Sequence, residues 1–523
     1  MNKFLSIIGA GLLILSAASC REESDPLMAY DQNEVLVFAA ADTSFAAKFK
    51  VMWNGMNQYY ALWDYEAEQG IDWDAVYDEY YPQFAALDQR ATVSDDELQA
   101  LLDNVFGPLH DGHFYMSVIN HKTGSIVEYQ PSVARLKARV DFPQSMNFNP
   151  SLNYYTDPAH GEVETDANGD PIAMEASTMM NEMFRLFTNT PGKGLTWIKA
   201  KIQELEALAS PTEMQAFQLQ NLKDLNAAFT TLNGLPFSQA INIWNGLQVK
   251  YSFLNVPGFD YFDPGFADGL DLKFALLKGN IAYFYLNSFA LTSYMSDSKS
   301  QSDFNMNEPT TQQYVNNMRK VWQTWFNAVQ TLHKNGTLGG VIIDVRNNGG
   351  GLMSDSEYVV GSLVPAGGIH FGYQRFKRGS GRYEYSPMMN AIVKSMSTPH
   401  ETITEPVVIL VNCQSVSMSE TSALCVKTMP NGTVIGKRSF GAICALTGNE
   451  DNSYNYAGYI GVKGVTSVFG NVPSMASYTL DRQLIEAQGI TPDIEVDLDV
   501  TQFLSTGKDT QLDRALLFLR TGQ

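Results

Sequence analysis

The sequence has few cysteines and fewer basic than acidic residues. Only 4 of its 523 residues are cysteine, and the spacing of Cys413, Cys425 and Cys444 matches no metal site. We expect these three thiols to serve as small core side chains. The chain contains 35 Lys and Arg residues and 56 Asp and Glu residues, which gives a net charge of −21. Such a charge repels nucleic acid, so we expect no nucleic-acid partner.

Long apolar runs are also scarce, and the clearest one lies at the start of the chain. Lys3 precedes IIGAGLLILSAA, which is too short to span a bilayer comfortably, and polar REESDP follows Cys20. This order predicts a secretory signal. The cysteine at its end resembles a bacterial lipoprotein signal, which implies a signal peptide at 1–19, a lipid on Cys20 and a tether at 20–44. Cys20 could also be incidental to a plain secretory signal.

Residues 45–119 are predicted to form a helical cap domain. Apolar residues repeat every three or four positions from Phe45 to Trp63, as on one face of a helix. Ser94 and Glu97 form a capping-box pattern before a further apolar stripe. Residues 120–271 are predicted to be an inserted region, with helices near 195–209 and 212–232. They contain no clear glycine loop of the kind that binds carboxylates, so we expect no standard PDZ module.

Predicted strands and helices alternate from residue 272 to about residue 500. Apolar strands alternate with a long amphipathic helix that ends at Asn335-Gly336. The strand VIIDV is almost entirely apolar, as in a parallel sheet covered on both faces. Residues 272–500 therefore predict an α/β core, and residues 501–523 a C-terminal helix or tail. No internal repeat or low-complexity tract stands out.

A cluster of serines follows an apolar strand in the C-terminal third. PVVILVN at 406–412 leads into CQSVSMSE, where Ser417 lies at the start of a predicted helix. The amides of a first helical turn point outward and can stabilise an anion, so Ser417 is a candidate nucleophile. A plain helix-capping serine is the alternative, and Ser415 and Ser419 are equally serine.

A second strand ends in glycines. GGVIIDVRNNGGG at 339–351 leaves backbone N–H groups unshielded, and an oxyanion hole needs such donors. A plain turn is the alternative. The Lys-Ser/Thr ending of a phosphate loop is missing. Asp344 and Arg346 are expected to provide polar support for this turn, and Glu420 to brace the serine helix.

These segments together resemble the C-terminal processing and tricorn-core serine peptidases. DVRNNGGG is followed by SVSMSE, then TVIGKRSFGA at 433–442 and LIEAQGITPDIEV at 484–496. The resemblance covers about 45–119 and 272–500. It implies a ClpP/crotonase-like catalytic core behind an N-terminal helical domain, with an inserted region between them. It also implies Ser417 as the nucleophile, with oxyanion donors at Met418, Gly349 and Gly350.

The base of the processing branch is missing. That branch carries a lysine after Phe-Gly, whereas Phe440-Gly441 is followed here by Ala442. The tricorn branch uses a histidine from the turn after the cap instead, which matches His113. A histidine titrates near neutral pH and can accept a hydroxyl proton.

The resemblance also implies that Glu486 orients the imidazole of His113. Gly112 replaces the serine that precedes this histidine in tricorn peptidase. His110 is the nearby competitor. Lys437 is a further candidate base, although it lies five residues before Ala442.

The sequence therefore predicts a serine endopeptidase of the cell envelope, anchored by lipid, which acts on peptides or unfolded proteins. No metal and no organic cofactor is implied. One alternative is a catalytically silent binding lipoprotein on the same scaffold, which the loss of the lysine motivates. A weaker one is an acyl-CoA enzyme, which the acidic charge and the export signal disfavour.

Overall fold

The computed structural model describes most of the chain after the first 43 residues. The described residues are 44–148, 150–177, 194–232, 270–295, 309–378, 381–446, 458–460 and 467–523, with 192, 243, 244, 247, 250, 251, 254 and 256. The predicted signal peptide, Cys20, most of the tether and residues 257–269 lie outside them. In this part of the chain, no helix is long and apolar enough to cross a membrane.

The described residues contain the predicted helices, one of them shortened, together with several short helices that the sequence did not indicate. The four that open the chain are α1 (Phe45–Tyr59), α2 (Trp63–Glu68), α3 (Trp73–Asp88) and α4 (Asp95–Phe106). The others are α5 (Pro131–Lys137), α6 (Phe142–Asn147), α7 (Asn153–Thr156), α8 (Gly194–Glu206), α9 (Glu213–Leu232), α10 (Leu291–Met295), α11 (Pro309–Lys334), α12 (Ser356–Val359), α13 (Met418–Thr428), α14 (Val500–Thr506) and α15 (Thr510–Thr521).

The strands of the described residues fall into three sheets. They are β1 (Tyr115–Asn120), β2 (Ser125–Tyr129), β3 (Ala173–Ser177), β4 (Asp271–Leu277), β5 (Ile281–Leu286), β6 (Gly340–Asp344), β7 (Ile369–Phe376), β8 (Met389–Val393), β9 (Val407–Val411), β10 (Gly432–Gly436), β11 (Tyr459–Ile460), β12 (Val468–Asn471), β13 (Met475–Tyr478) and β14 (Ile494–Glu495).

The chain divides into two compact units, neither of which is contiguous in sequence. Of the residues described above, those within 44–139, 370–392 and 440–489 form one unit, and those within 140–369, 393–439 and 490–523 form the other. The segments 370–392 and 440–489, which fall within the predicted peptidase core, thus belong to the same unit as the N-terminal helices. The unit with Ser417 is called the serine unit below, and the unit with His113 the histidine unit.

The serine unit is built on a seven-stranded mixed sheet. Its strand order is β14-β10-β9-β6-β5-β4-β3. The pairs from β14 to β5 are parallel and the last two are antiparallel. Every residue of β6 and β9 is buried, as their apolar sequences predict. The mixed α/β fold of the prediction is confirmed.

Helices cover the sheet through alternate side chains of its strands. Phe284 of β5 stacks on Trp325 of α11 at 4.6 Å between ring centroids. Its neighbour Tyr283 belongs instead to the core cluster that contains Leu512 and Leu516 of α15. Because successive side chains of a strand point to opposite faces, the two helices lie on opposite faces of the sheet.

One predicted helix is shorter than its pattern suggested. The sequence predicts a helix over about 353–363, but a 3₁₀ turn at Met353–Asp355 leads only into α12. Gly361 follows, and a Cβ there would lie 2.4 Å from the carbonyl oxygen of Lys394. That close backbone approach requires glycine at position 361, just beyond the end of α12.

The histidine unit contains the four N-terminal helices and two antiparallel sheets, β11-β12-β1-β2 and β13-β7-β8. The capping box at Ser94 and Glu97 is present. Trp63 and Trp73 pack together in the core at 4.8 Å. The turn that carries His113 joins α4 to β1.

Candidate active site

Ser417 occupies a strained position between β9 and α13. Its φ is 58° and its ψ is −114°, which a non-glycine residue rarely adopts. Such a backbone costs about 1–3 kcal/mol and clusters at functional sites. A nucleophilic serine on a sharp strand-to-helix turn has this kind of strain, because the turn lifts the hydroxyl away from its own strand.

The structure separates the three serines of the cluster. Ser415 Oγ donates to the carbonyl oxygen of Val345 at 2.8 Å, and Ser419 Oγ donates to that of Asn348 at 2.8 Å. Both serines are fully buried, whereas Ser417 is partly exposed. Ser415 and Ser419 therefore tie the serine turn to the glycine turn, and Ser417 remains as the candidate nucleophile.

The glycine turn lies directly against Ser417. Gly350 has a φ of 98°, and a Cβ added there would lie 2.6 Å from Ser417 Cβ and 2.9 Å from the carbonyl oxygen of Val416. The amide of Val416 also donates to the carbonyl oxygen of Asn348 at 3.0 Å. The two segments singled out from the sequence thus meet, and only glycine fits at position 350.

The predicted oxyanion donors differ in their availability. The Gly350 amide donates to Asn348 Oδ1 at 2.8 Å, so in this conformation it is already engaged. The amides of Gly349 and Met418 donate to no acceptor among the described residues. A Cβ on Gly349 would meet nothing within 4 Å. Gly349 and Met418 therefore offer the open donors, and the Gly350 amide becomes available only if Asn348 releases it.

Glu420 braces the serine helix, as its position in the cluster predicted. Its buried carboxylate accepts the amide proton of Ser417 at 3.2 Å and the hydroxyl proton of Ser439 at 2.6 Å. The Ser439 oxygen in turn accepts the amide of Ile490 at 2.6 Å. Because both carboxylate oxygens make these contacts, Glu420 stabilises the conformation of the serine turn.

A buried ion network holds the residue that precedes the glycine turn. Arg346 lies 2.5 Å from Asp344 Oδ2 and 2.7 Å from Asp509 Oδ2, and Gln511 accepts from it at 2.9 Å. Burial lowers the pKa of Arg346, but the two aspartates outweigh burial and raise it well above its usual value. Arg346 is thus permanently charged and fixed, which confirms its expected supporting role.

Lys437 is not a plausible base. Its Nζ lies 2.6 Å from Glu495 Oε1 and 3.0 Å from Asp497 Oδ1. Burial lowers the pKa of this lysine, but its hydrogen bonds to the two carboxylates outweigh burial and raise it. A lysine that remains protonated cannot accept the proton of a serine hydroxyl.

In the histidine unit, His113 lies on a turn that Asp111 organises. Asp111 Oδ1 accepts the amides of His113 at 2.9 Å and Phe114 at 2.6 Å. Burial lowers the pKa of His113 to about 4, and a hydrogen bond with the Cys444 backbone opposes that shift. The imidazole is therefore neutral at neutral pH, which is the form that accepts a proton.

Glu486 does not hold the imidazole as predicted. Its buried carboxylate accepts the amides of Gly112 and Cys444, each at 2.8 Å. The Nδ1 atom of His113 is buried and has no hydrogen-bond partner among the described residues. Glu486 therefore fixes the main chain on either side of the histidine, because backbone amides take up its oxygens.

Gly112 and Ala442 are the two positions at which the sequence departs from the patterns it resembles, and they lie against each other. A Cβ added at Gly112 would lie 2.2 Å from Ala442 Cβ and 2.9 Å from Ala442 Cα. A serine before His113 therefore cannot be accommodated while the main chain of Ala442 keeps this place. The glycine and the alanine are matched to one another.

His110 has a carboxylate partner that the sequence did not reveal. Its Nδ1 lies 2.8 Å from Glu66 Oε2, and Glu66 Oε1 accepts the His110 amide at 2.8 Å and the Tyr60 hydroxyl at 2.7 Å. Glu66 is fully buried in α2. Tyr60 and Trp63 are core residues, as expected.

Comparison with known proteins finds one family model that matches part of this chain. Residues 280–496, which contain both the glycine turn and the serine turn, match the model of peptidase family S41. No curated protein matches the chain.

Several solved structures match this chain at low identity. One is a protein from Parabacteroides merdae described as a candidate peptidase, with 17% identity, a TM-score of 0.45 and coverage of 91% of this chain and 97% of that one. Another is mature CPAF, with 12% identity, a TM-score of 0.44 and coverage of 94% and 99%. A third is the tricorn protease, with 19% identity, a TM-score of 0.28 and coverage of 47% and 18%.

Proposed function

We propose that this chain, a serine-type peptidase whose residues 280–496 belong to peptidase family S41, cleaves peptide bonds with Ser417 as its nucleophile. The observation that carries this proposal is the strained backbone of Ser417, which is packed against Gly350. Strain of this kind persists only where the surrounding structure enforces it. A serine that merely capped a helix would not need it.

The first chemical step is attack of Ser417 Oγ on the carbonyl carbon of the scissile bond. The carbonyl oxygen becomes an oxyanion, which the free amides of Gly349 and Met418 are available to stabilise. Met418 opens α13, so the helix dipole adds partial positive charge at that end. Each such donor is worth about 10²–10³-fold in kcat.

We assign the role of general base to His113. The imidazole accepts the hydroxyl proton of Ser417 and returns it to the leaving amine. Two facts support this assignment. His113 is neutral at neutral pH, and Lys437, the lysine considered as a substitute base, is held protonated by two carboxylates. Glu486 supports this histidine through the main chain.

The catalytically silent alternative is less well supported. A binding protein that had lost its lysine would have no use for a strained, partly exposed Ser417 or for unpaired donors beside it. The retained geometry of the serine turn therefore favours an active enzyme.

The substrate and the location are further parts of the proposal. Peptides or unfolded proteins are the expected substrates, because the chemistry acts on the peptide group itself. The signal-like start and Cys20 support a lipid-anchored protein of the cell envelope, in the outer membrane on its periplasmic or surface side. Intact mass measurement of the mature protein tests the anchor. A Cys20→Ser variant should lack the mass added by lipid, and equal masses apart from the substitution would contradict the anchor.

A fluorophosphonate probe tests the nucleophile, because it reacts only with activated serines. Parent protein should be labelled, Ser417→Ala should not, and His113→Ala should react far more slowly. Ser415→Ala is the matched control in the same cluster, and it should still be labelled after any loss of stability is taken into account. Equal labelling of the parent, Ser417→Ala and His113→Ala would overturn the mechanism.

A further inference from the structure

Two buried polar atoms remain without a partner on the turn that carries the proposed base. They are Asp111 Oδ2 and His113 Nδ1, and neither has a hydrogen-bond partner among the described residues. Buried polar atoms are nearly always paired, so two orphans separated by one residue require an explanation. One is a carboxylate oxygen and the other a ring nitrogen, which pair well when a proton lies between them.

The other oxygen of Asp111 fixes the carboxylate next to His113. Asp111 Oδ1 accepts the His113 amide at 2.9 Å and the Phe114 amide at 2.6 Å. Asp111 is itself fully buried. The carboxylate is therefore anchored to the same residue that bears the imidazole. The Tyr60 side chain also interacts with it and lowers the pKa of Asp111, while Oδ2 makes no hydrogen bond among the described residues.

The groups around Asp111 leave it ionised at neutral pH. Burial raises the pKa of Asp111 to about 6, Arg135 opposes this shift and Glu66 adds to it. Arg135 also donates to the carbonyl oxygens of Leu109 and Asp111, which holds the cation beside the turn. The titratable groups that face the Asp111–His113 turn are Arg135, Glu66, Tyr60, Glu486 and Cys444.

We propose that Asp111 is a positioning residue for the hydrolysis, and that its ionised Oδ2 accepts a hydrogen bond from the Nδ1–H of His113 during the reaction. This inference rests on the proposed function of His113. The ring of His113 makes a hydrogen bond with the Cys444 backbone in this structure, and that bond must be released before Nε2 can accept a proton. A hydrogen bond donated by Nδ1 to Asp111 then selects the tautomer in which Nε2 carries a lone pair, and that is the tautomer a general base needs.

The proton that leaves Ser417 in this step ends on the leaving amine. Ser417 Oγ forms a bond to the carbonyl carbon, and its proton moves to Nε2 of His113. The C–N bond then breaks and the same proton leaves on the amine. Asp111 stays ionised throughout and offsets the positive charge of the imidazolium. Burial disfavours that charge, as the lowered pKa of His113 shows.

The substitution Asp111→Asn tests this role with little structural change. The asparagine oxygen can still accept the amides of His113 and Phe114, but the group has no charge and its NH₂ favours the wrong tautomer. We expect kcat to fall by about 10²–10⁴-fold with KM little changed, as when a histidine loses its orienting carboxylate. A change within about threefold would overturn the inference.

Asp88→Asn provides the matched control. Asp88 also uses a carboxylate to accept two amides of this unit, those of Phe45 at 2.8 Å and Ala46 at 3.1 Å. It serves the start of α1 rather than the histidine turn. Asp88→Asn should therefore keep the parent kcat, and an equal loss of kcat in both variants would show that Asp111 acts only on the structure of the unit.

The pH profile separates positioning from folding. In the parent, kcat/KM should fall as the pH drops through about 6, because Asp111 must be ionised. The residual kcat/KM of Asp111→Asn should not show this fall near pH 6. If kcat/KM of the variant fell with pH in the same way as that of the parent, the inference would be overturned.

Labelling distinguishes this inference from the proposed function. If Ser417→Ala is labelled like the parent, the proposed function itself fails. If Ser417→Ala is not labelled but Asp111→Asn is labelled at the parent rate, only the role of Asp111 fails.

Discussion

The contact between Gly350 and Ser417 makes Gly350→Ala the most informative substitution in the serine unit. The new Cβ would lie 2.6 Å from Ser417 Cβ, 2.9 Å from the Val416 carbonyl oxygen and 3.0 Å from the Met418 amide. Carbon atoms prefer separations of about 3.5–4.0 Å, so Ser417 must move by about 1 Å. The φ of 98° adds strain for any residue with a Cβ.

We expect Gly350→Ala to lower both the stability of the unit and its catalytic efficiency. Overpacking costs about 1–3 kcal/mol, and the positive φ costs about a further 1–2 kcal/mol. Displacement of the nucleophile by about 1 Å costs about 10²-fold in kcat/KM. Hydrolysis of a fluorogenic peptide and the rate of fluorophosphonate labelling should both fall by about this factor at temperatures where the variant is folded.

Gly367→Ala is the control for this prediction. It lies in the same unit, and a Cβ there meets nothing within 4 Å. The control should keep parent activity and stability. If Gly350→Ala also kept kcat/KM within threefold of the parent, the inferred contact between the glycine turn and the nucleophile would be refuted.

Three further predictions concern charged groups. Lys437→Met should leave kcat/KM within about twofold, because the lysine is held in a surface ion pair worth about 0–1 kcal/mol; a loss of 10²-fold or more would make Lys437 the base. Asp344→Asn should lower the free energy of unfolding in urea by about 3–5 kcal/mol, because Arg346 loses a buried partner; a loss below about 1 kcal/mol would contradict the network. The lowered pKa of His113 means that the unfolded chain binds a proton more readily than the folded one. Stability is therefore lost as the pH falls from about 6.5 to about 4, by up to about 3 kcal/mol, and His113→Gln should not show this part of the loss.

Apolar pattern predicted most of the fold. The sequence predicts the buried strands β6 and β9 because each is a continuous apolar run. It predicts the long helix α11 because apolar residues recur there every three or four positions. The compact units could not be predicted in this way, because segments 370–392 and 440–489 join the N-terminal helices through contacts distant in sequence. The local sequence also did not reveal that the Lys394 carbonyl approaches Gly361, just beyond the short helix α12.

The site was predicted in part. Ser417 and the glycine turn were singled out because each follows a buried strand, and the structure brings these two segments together. The choice among Ser415, Ser417 and Ser419 needed the hydrogen bonds of their hydroxyl groups.

The carboxylates of the site were harder to assign. Glu66 lies within a helix and Asp111 on a turn. Nothing local marks Glu66 as the partner of His110 or Asp111 as the acceptor of the His113 amide. Glu486 was assigned to the imidazole by resemblance, whereas the structure shows it bonded to the amides of Gly112 and Cys444.

The most direct test of the central claim is kcat/KM of Ser417→Ala on a peptide substrate, measured beside the parent and the Ser415→Ala control. If Ser417 is the nucleophile, the variant should lose at least about 10³-fold while it unfolds at a temperature close to that of the parent. A Ser417→Ala protein that hydrolyses the peptide within about tenfold of the parent rate would contradict the account.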